Sequence, residues 1–196
     1  MGKVRIIGGS WRGRVLLVED APGLRPSADR VRETLFNLLG QVLDDLICVD
    51  CFAGTGALGL EALSRGARQV HILEKASNAF KALQKNISSF KLEEVTGELI
   101  LQKTDALTYL AKLPSQAIDI VFIDPPFAQP ELLQQALLQA KRILRVGPSA
   151  AIYLEHPSTL KIETLLTELK LDQELIIKRS IRSGQAIGTL LVPKTI

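Results

Sequence analysis

The chain has 196 residues, of which 46% are hydrophobic and 23% charged, and its formal net charge is +3. That suits one soluble domain burying about 70% of its unfolded surface. No apolar run approaches the roughly 18 residues of a membrane helix, and the start of the chain lacks the apolar region of a signal peptide, so a cytoplasmic protein is expected. The charge is unevenly placed. Residues 1–39 hold an excess of three positive charges, mostly arginine, while the rest of the chain is balanced. A basic segment on a neutral body points to a polyanionic partner. Arginine suits that role because it grips phosphate bidentately and stacks on bases.

Residues 4–7 and 15–18 read as a short hairpin around Gly8-Gly9-Ser10-Trp11-Arg12-Gly13. Residues 21–26 read as a loop. Ser27 or Asp29 then caps a helix running to about Leu39, with Val31, Leu35, Leu38 and Leu39 on one face. Thereafter strands and helices alternate. Strands are expected at 46–50, 69–73, 98–102, 118–123 and 150–155, with helices at 56–65, 77–88, 108–113 and 131–143. Such alternation, with largely apolar strands, predicts an α/β fold whose mostly parallel sheet is covered on both faces. Segments 174–179 and 186–192 flank Arg182-Ser183-Gly184-Gln185 and read as a closing antiparallel hairpin. A parallel core with such a terminal hairpin resembles the class I S-adenosylmethionine-dependent methyltransferase (Rossmann-like) fold. The expected division is a basic arm at 1–26 and a catalytic domain at 27–196, and nothing demands more than a monomer.

Cys48 and Cys51 form a C-x-x-C. On a strand, three residues span about 10 Å, against roughly 5.5 Å between the α-carbons of a disulfide. A structural zinc site needs four ligands, and only His71 and His156 remain to assist. Two buried, inert thiols and no metal are expected.

Gly54-Thr55-Gly56-Ala57-Leu58-Gly59 fits G-x-G-x-x-G between a strand and a helix. Alone, that also fits a nicotinamide or flavin enzyme. Asp50 sits at the tip of the preceding strand, where it suits a cationic ammonium and would repel a pyrophosphate. This favours S-adenosyl-L-methionine over a dinucleotide. Glu74, ending the second strand, can accept both ribose hydroxyls. Asp105, after the third, can accept from an adenine amine or cap a helix.

Asp124-Pro125-Pro126-Phe127 follows the apolar run Ile120-Val121-Phe122-Ile123. Asp124 and the Pro125 carbonyl can each accept an N–H of an exocyclic amine, freeing its lone pair for a methyl group. Phe127 can stack on the base, worth about 1–3 kcal/mol. Pro126 helps fix the turn. A base paired in a helix could not reach this tetrad, so it must be unpaired or flipped out.

The segments Arg5–Arg14, Leu24–Asn37, Asp50–Ala67 and Asp124–Phe127 together closely resemble the bacterial 16S rRNA guanine-N2 methyltransferases of the RsmD family. The resemblance runs from about residue 4 to 155. It implies methylation of one guanine N2 amine in small-subunit rRNA, in a subunit or assembly intermediate, with ribosomal proteins as further partners. Asp50, Phe52, Ala53, Gly54, Gly56, Glu74, Lys75, Asp105 and Ala106 would hold the cofactor. Asp124, Pro125, Pro126 and Phe127 would form the catalytic tetrad, and Arg5, Trp11, Arg12, Arg14, Arg25, Arg30 and Arg32 would contact RNA. Trp11 could instead pin the hairpin to the body. The final forty residues depart from the family pattern and end in a basic hairpin.

Four rivals remain open. DNA adenine-N6 and protein glutamine methyltransferases use related tetrads. The former usually carry a separate recognition domain for which no stretch is long enough, and the latter more often begin the tetrad with Asn and have a larger helical N-terminal domain. An oxidoreductase leaves the tetrad and arm unexplained. A noncatalytic RNA-binding protein leaves the intact loop and tetrad unexplained.

Overall fold

The computed structural model describes residues 2–18 and 26–194. Arg25 lies outside the described residues. Seven strands make one sheet: β3 (Ile47–Asp50), β4 (Gln69–Glu74), β5 (Glu98–Lys103), β6 (Ile120–Ile123), β7 (Ala151–Pro157), β8 (Leu175–Ser183) and β9 (Ala186–Pro193). Their order is β5-β4-β3-β6-β7-β9-β8. The first five are parallel, β9 runs antiparallel to β7, and β8 antiparallel to β9. The expected mostly parallel sheet with a terminal hairpin is therefore present. β6 (IVFI) is buried at every position, as a central strand covered on both faces must be.

The chain starts at β3, builds outward to β4 and β5, then returns to lay β6 on the other side of β3. The order reverses between β3 and β6. Open α/β sheets bind ligands at the carboxyl ends of the strands at such a point. Asp50 and Asp124 lie there, since Asp50 pairs in register with Phe122, two residues before Asp124.

Five helices follow the expected pattern: α1 (Pro26–Leu39), α2 (Ala57–Ser64), α3 (Ser77–Ser88), α4 (Ala106–Leu110) and α5 (Pro130–Ile143). Helix α1 begins ahead of Asp29. That residue is not the cap; it sits in the first turn and binds Arg32 across 2.7 Å. Helix α4 begins two residues earlier than expected, because Asp105 caps it through Thr108 N–H at 3.1 Å. The short helix α6 (Ile162–Glu168), which buries Ile162, Leu165 and Leu166, was not expected. No helix among the described residues is long and apolar enough to cross a membrane.

The hairpin of β1 (Gly2–Arg5) and β2 (Val15–Val18) is antiparallel. Its first strand ends earlier than the sequence suggests, because the next amides leave the ladder. Ile7 and Gly8 N–H donate to the two carboxylate oxygens of Glu61 at 2.7 and 2.8 Å. Glu61 is wholly buried on α2 and also accepts from Arg65 Nε at 2.8 Å, with Arg32 Nη1 at 4.0 Å. Ser64, one turn on, accepts from Trp11 N–H at 2.9 Å and donates to Gly8 carbonyl at 2.6 Å. Gly9 lies so close to α2 that a β-carbon there would fall 1.7 Å from the Ser64 carbonyl. Val4, Ile6, Trp11 and Leu16 of the hairpin join one hydrophobic cluster with Phe36, Leu60, Phe122 and Tyr153.

Removing one partner from a buried charge pair costs about 3–5 kcal/mol, because the other charge is left uncompensated. Glu61→Ala is therefore expected to lower stability by about that amount. It should also accelerate amide exchange selectively at Ile7, Gly8 and Trp11. Denaturant unfolding and hydrogen exchange by mass spectrometry check both effects.

Candidate functional site

Three acidic residues end three neighbouring strands: Asp50 on β3, Glu74 on β4, and Asp105 just beyond β5. The loop between β3 and α2 crosses in front of them. Gly54 and Gly56 take φ of 51° and 80°, which a side chain would strain, and the space above Gly54 is open. A β-carbon on Gly56 would meet Leu83 at 2.5 Å, so this glycine also lets α3 pack close. Phe52 is half-buried and packs on the cluster beneath the sheet, while Ala53 is buried and its N–H donates to Leu73 carbonyl at 3.0 Å.

Each acid also shapes its own surroundings. Asp50 is 2% exposed, and its Oδ2 accepts from Gly59 N–H at 2.9 Å, which ties the strand tip to α2. Burial pushes its pKa up to about 7; the Gly59 N–H pulls it down and the Glu74 carboxylate pushes it up. Such a carboxyl ionises readily only beside a cation. Glu74 accepts from Gly54 N–H at 2.9 Å and from Ala76 N–H at 2.6 Å, so both its oxygens brace the loops flanking the site. Asp105 is held below the usual carboxylate range, first by the Thr108 N–H and then by Lys75, whose Nζ lies 3.1 Å away. Lys75 is exposed and Ala106 buried at the start of α4.

The donor set fits S-adenosylmethionine. A buried acid suits its ammonium, and carboxylates farther along the sheet edge suit its ribose hydroxyls and adenine amine. No arginine or lysine of the loop stands ready for a pyrophosphate.

Asp124 follows β6 and opens on a cavity of about 200 Å³, together with Val4, Val31, Arg32, Ala57, Leu58, Glu155 and Ser183. Its side chain reaches solvent through the mouth, yet protein crowds it on the other sides. That crowding, then Glu155 and Asp50, raises its pKa well above the ordinary carboxylate range. Pro125 is buried and Pro126 exposed. Phe127 is 44% exposed, leaving its ring free to stack.

Of the two readings of Trp11 the geometry supports the second, and Arg32 and Arg14 are engaged within the protein. Trp11 is completely buried: its indole Nε1 donates to Lys91 carbonyl at 3.2 Å, and its ring sits 4.9 Å from that of Phe90. It pins the hairpin to the body and cannot stack on RNA. Arg32 is 6% exposed; Nη2 donates to the Arg5 carbonyl and to Asp29. Arg14 is committed to Glu94 at 2.5 Å and lies over the Phe90 ring. Arg5, Arg12 and Arg30 are exposed.

Sequence reading alone passes over Glu155, which ends the expected strand 150–155 and lies within β7. Register reveals it: Leu154 pairs with Ile123, so the next residues, Glu155 and Asp124, stand side by side. Glu61 and Ser64 read only as motif letters in the sequence, and their docking role requires the arm's path. Cys48 and Cys51 are buried in different clusters on opposite faces of the sheet, and burial raises both thiols.

Asp50, Asp124 and Glu155 are all harder to ionise folded than unfolded. Such groups contribute stability that is full below the unfolded carboxylate range and is lost as pH rises through the folded value. The ligand-free protein is therefore expected to lose melting temperature between about pH 4 and pH 7. Asp50→Asn should flatten that slope in thermal scans.

Comparison with known proteins agrees with this geometry. The family model described as Conserved hypothetical protein 95 matches residues 4–181. Ribosomal RNA small subunit methyltransferase D of Escherichia coli K12 is 41% identical over 175 residues, covering 89% of this chain and 85% of the relative. Its Haemophilus influenzae namesake is 42% identical over 167 residues, covering 85% and 83%. A solved structure of the candidate methyltransferase yhhF from Escherichia coli superposes with a TM-score of 0.76, 37% identity and 97% coverage of each chain. A candidate methylase from Haemophilus influenzae, HI0767, gives 0.73 at 34% identity, over 97% of this chain and 98% of that one. The fold is thus a methyltransferase fold, and the chain belongs to the Conserved hypothetical protein 95 family, the RsmD family that its motifs resemble.

Proposed function

We propose that this protein transfers a methyl group from S-adenosylmethionine to the N2 amine of a guanine in 16S rRNA of the small ribosomal subunit. The observation that carries the reading is the placement of Asp124 and exposed Phe127 at the switch point, directly beside the acid-edged loop. The names of the relatives support rRNA as the substrate.

Bound S-adenosylmethionine supplies an electrophilic methyl carbon on a sulfonium. Asp50 would hold the ammonium, Glu74 the ribose hydroxyls and Asp105 the adenine amine, with Phe52, Ala53, Lys75 and Ala106 completing the pocket. The guanine lies against Phe127, and its N2 hydrogens point to the Asp124 carboxylate and the Pro125 carbonyl. Those bonds hold the nitrogen pyramidal, with its lone pair toward the methyl carbon. Transfer would form the N–C bond as the C–S bond of the cofactor breaks. The N2 proton then leaves to Asp124, whose crowded carboxylate is a stronger base than an exposed one. Orientation and an oriented acceptor each lower the barrier; losing one such partner typically costs roughly 3–4 kcal/mol.

Exposed Arg5, Arg12 and Arg30 on the arm and α1 face the phosphate backbone. Ribosomal proteins beside the target nucleotide complete the docking surface, and the enzyme acts as a monomer in the cytoplasm.

Labelled S-adenosylmethionine, offered small subunits from cells lacking this protein, should yield N2-methylguanosine on nucleoside analysis. Transfer to DNA or protein alone would overturn the substrate. Asp124→Ala should abolish turnover while S-adenosylhomocysteine binding stays within about tenfold, as isothermal titration would measure; an equal loss of binding would remove Asp124 from the chemistry. Charge reversal at Arg12 and Arg30 should weaken RNA binding and reduce its salt slope, by about 0.7–0.9 for each phosphate no longer neutralised.

A further inference from the structure

The cavity at Asp124 holds more recognition chemistry than methyl transfer requires. Glu155 stands beside Asp124 on the neighbouring strand and lines the same cavity. Its Oε1 accepts from the buried Tyr153 hydroxyl at 2.9 Å, which fixes the carboxylate's direction. Both are backed by apolar walls, Val31 and Leu58 among them. Two adjacent acceptors in a recess repel one another unless a ligand brings donors.

An independent feature lies on the same cavity. Arg32 lines it with a side chain only 7% exposed, and its Nη1 is the one buried side-chain polar atom without a hydrogen-bond partner among the described residues. Its nearest charge is the Glu61 carboxylate, 4.0 Å away and too far for a hydrogen bond. A ligand acceptor would supply one.

The recess therefore offers two acceptors and one donor. The Watson–Crick edge of guanine presents the complement: donors at N2 and N1, then an acceptor at O6. Adenine presents an acceptor at N1, which a carboxylate repels. We propose that Glu155 selects guanine by accepting its N1–H while Asp124 accepts from N2, with Arg32 as the donor nearest O6. The inference rests on the proposed function and adds what the Asp-Pro-Pro-Phe tetrad lacks, since the tetrad accepts an amine of either purine. Glu155 thereby acts on substrate choice, beside rather than within the methyl-transfer step.

2-Aminopurine separates the two roles. It keeps the amine at carbon 2 but has an acceptor at N1 and no O6. Small subunits reconstituted with guanine or 2-aminopurine at the methylated position would be assayed with labelled S-adenosylmethionine under single-turnover conditions. The unaltered protein should prefer guanine by about 100-fold, the scale of a well-formed base-edge contact. Glu155→Gln, whose amide can donate to N1 of 2-aminopurine, should bring the two within about tenfold. Glu155→Asp, which keeps an acceptor, should react more slowly yet retain the preference. Melting temperature and S-adenosylhomocysteine binding confirm that each variant is folded. An undiminished preference in folded Glu155→Gln would overturn the role of Glu155 alone. So would loss of transfer to both bases, which would assign Glu155 to the chemical step. Failure of the unaltered protein to methylate the guanine substrate would overturn the proposed function, and this inference with it.

Discussion

The buried carboxylate of Glu61 is the constraint on which the upper half of the molecule depends. It accepts two backbone amides of the arm and one arginine side chain, with a second guanidinium close by. Glu61 is wholly buried and both arginines are nearly so, so each charge is tolerable only while the others are in place. Arg65 extends the network by lying over the Phe36 ring of α1 and donating to the Gln41 carbonyl. Arm, α1 and α2 are thereby fixed to one another before any ligand enters. Helix α2 is also the helix that the glycine loop feeds. The wall over the Asp124 cavity and the floor beneath the loop are thus positioned by one shared element.

The second constraint is electrostatic. Parallel strands bring their carboxyl ends to one rim, and the chain places Asp50, Glu74, Asp105, Asp124 and Glu155 on or just beyond it. Burial is the main reason that Asp50, Asp124 and Glu155 resist ionisation, and repulsion from neighbouring carboxylates adds to it at Asp50 and Asp124. A ligand carrying an ammonium and a sulfonium, with a base whose edge is rich in N–H donors, offsets that repulsion. The site is unsettled by itself and complemented by what we propose it binds.

The sheet and the placement of both motifs are legible in the sequence because parallel strands buried on two faces leave uninterrupted apolar runs, and β6 is such a run. Helix α6 is not, because seven residues hardly establish a period. The arm misleads for a different reason. An aromatic residue among arginines has the composition of a nucleic-acid surface, but composition does not say which way a side chain turns. Trp11 turns inward because Gly9 permits contact with α2 and Ser64 takes the Trp11 amide, partners more than fifty residues away. Glu155 needs the pairing of β6 with β7 before its neighbour can be known. Asp105 performs the capping duty its position suggests, and that duty leaves it available at the rim.

The outermost strand of the sheet, β8, carries its own safeguard. An unpaired strand edge invites another chain to add to it, and natural sheets blunt such edges with charge and irregularity. Here the ladder slips between Ile177 and Arg179, and exposed Lys178, Arg179 and Arg182 lie along the edge. A second copy approaching to extend the sheet would meet mismatched register and like charge. The hairpin's charge and irregular register therefore act against edge-to-edge pairing, keeping an open sheet margin from seeding aggregates of its own kind.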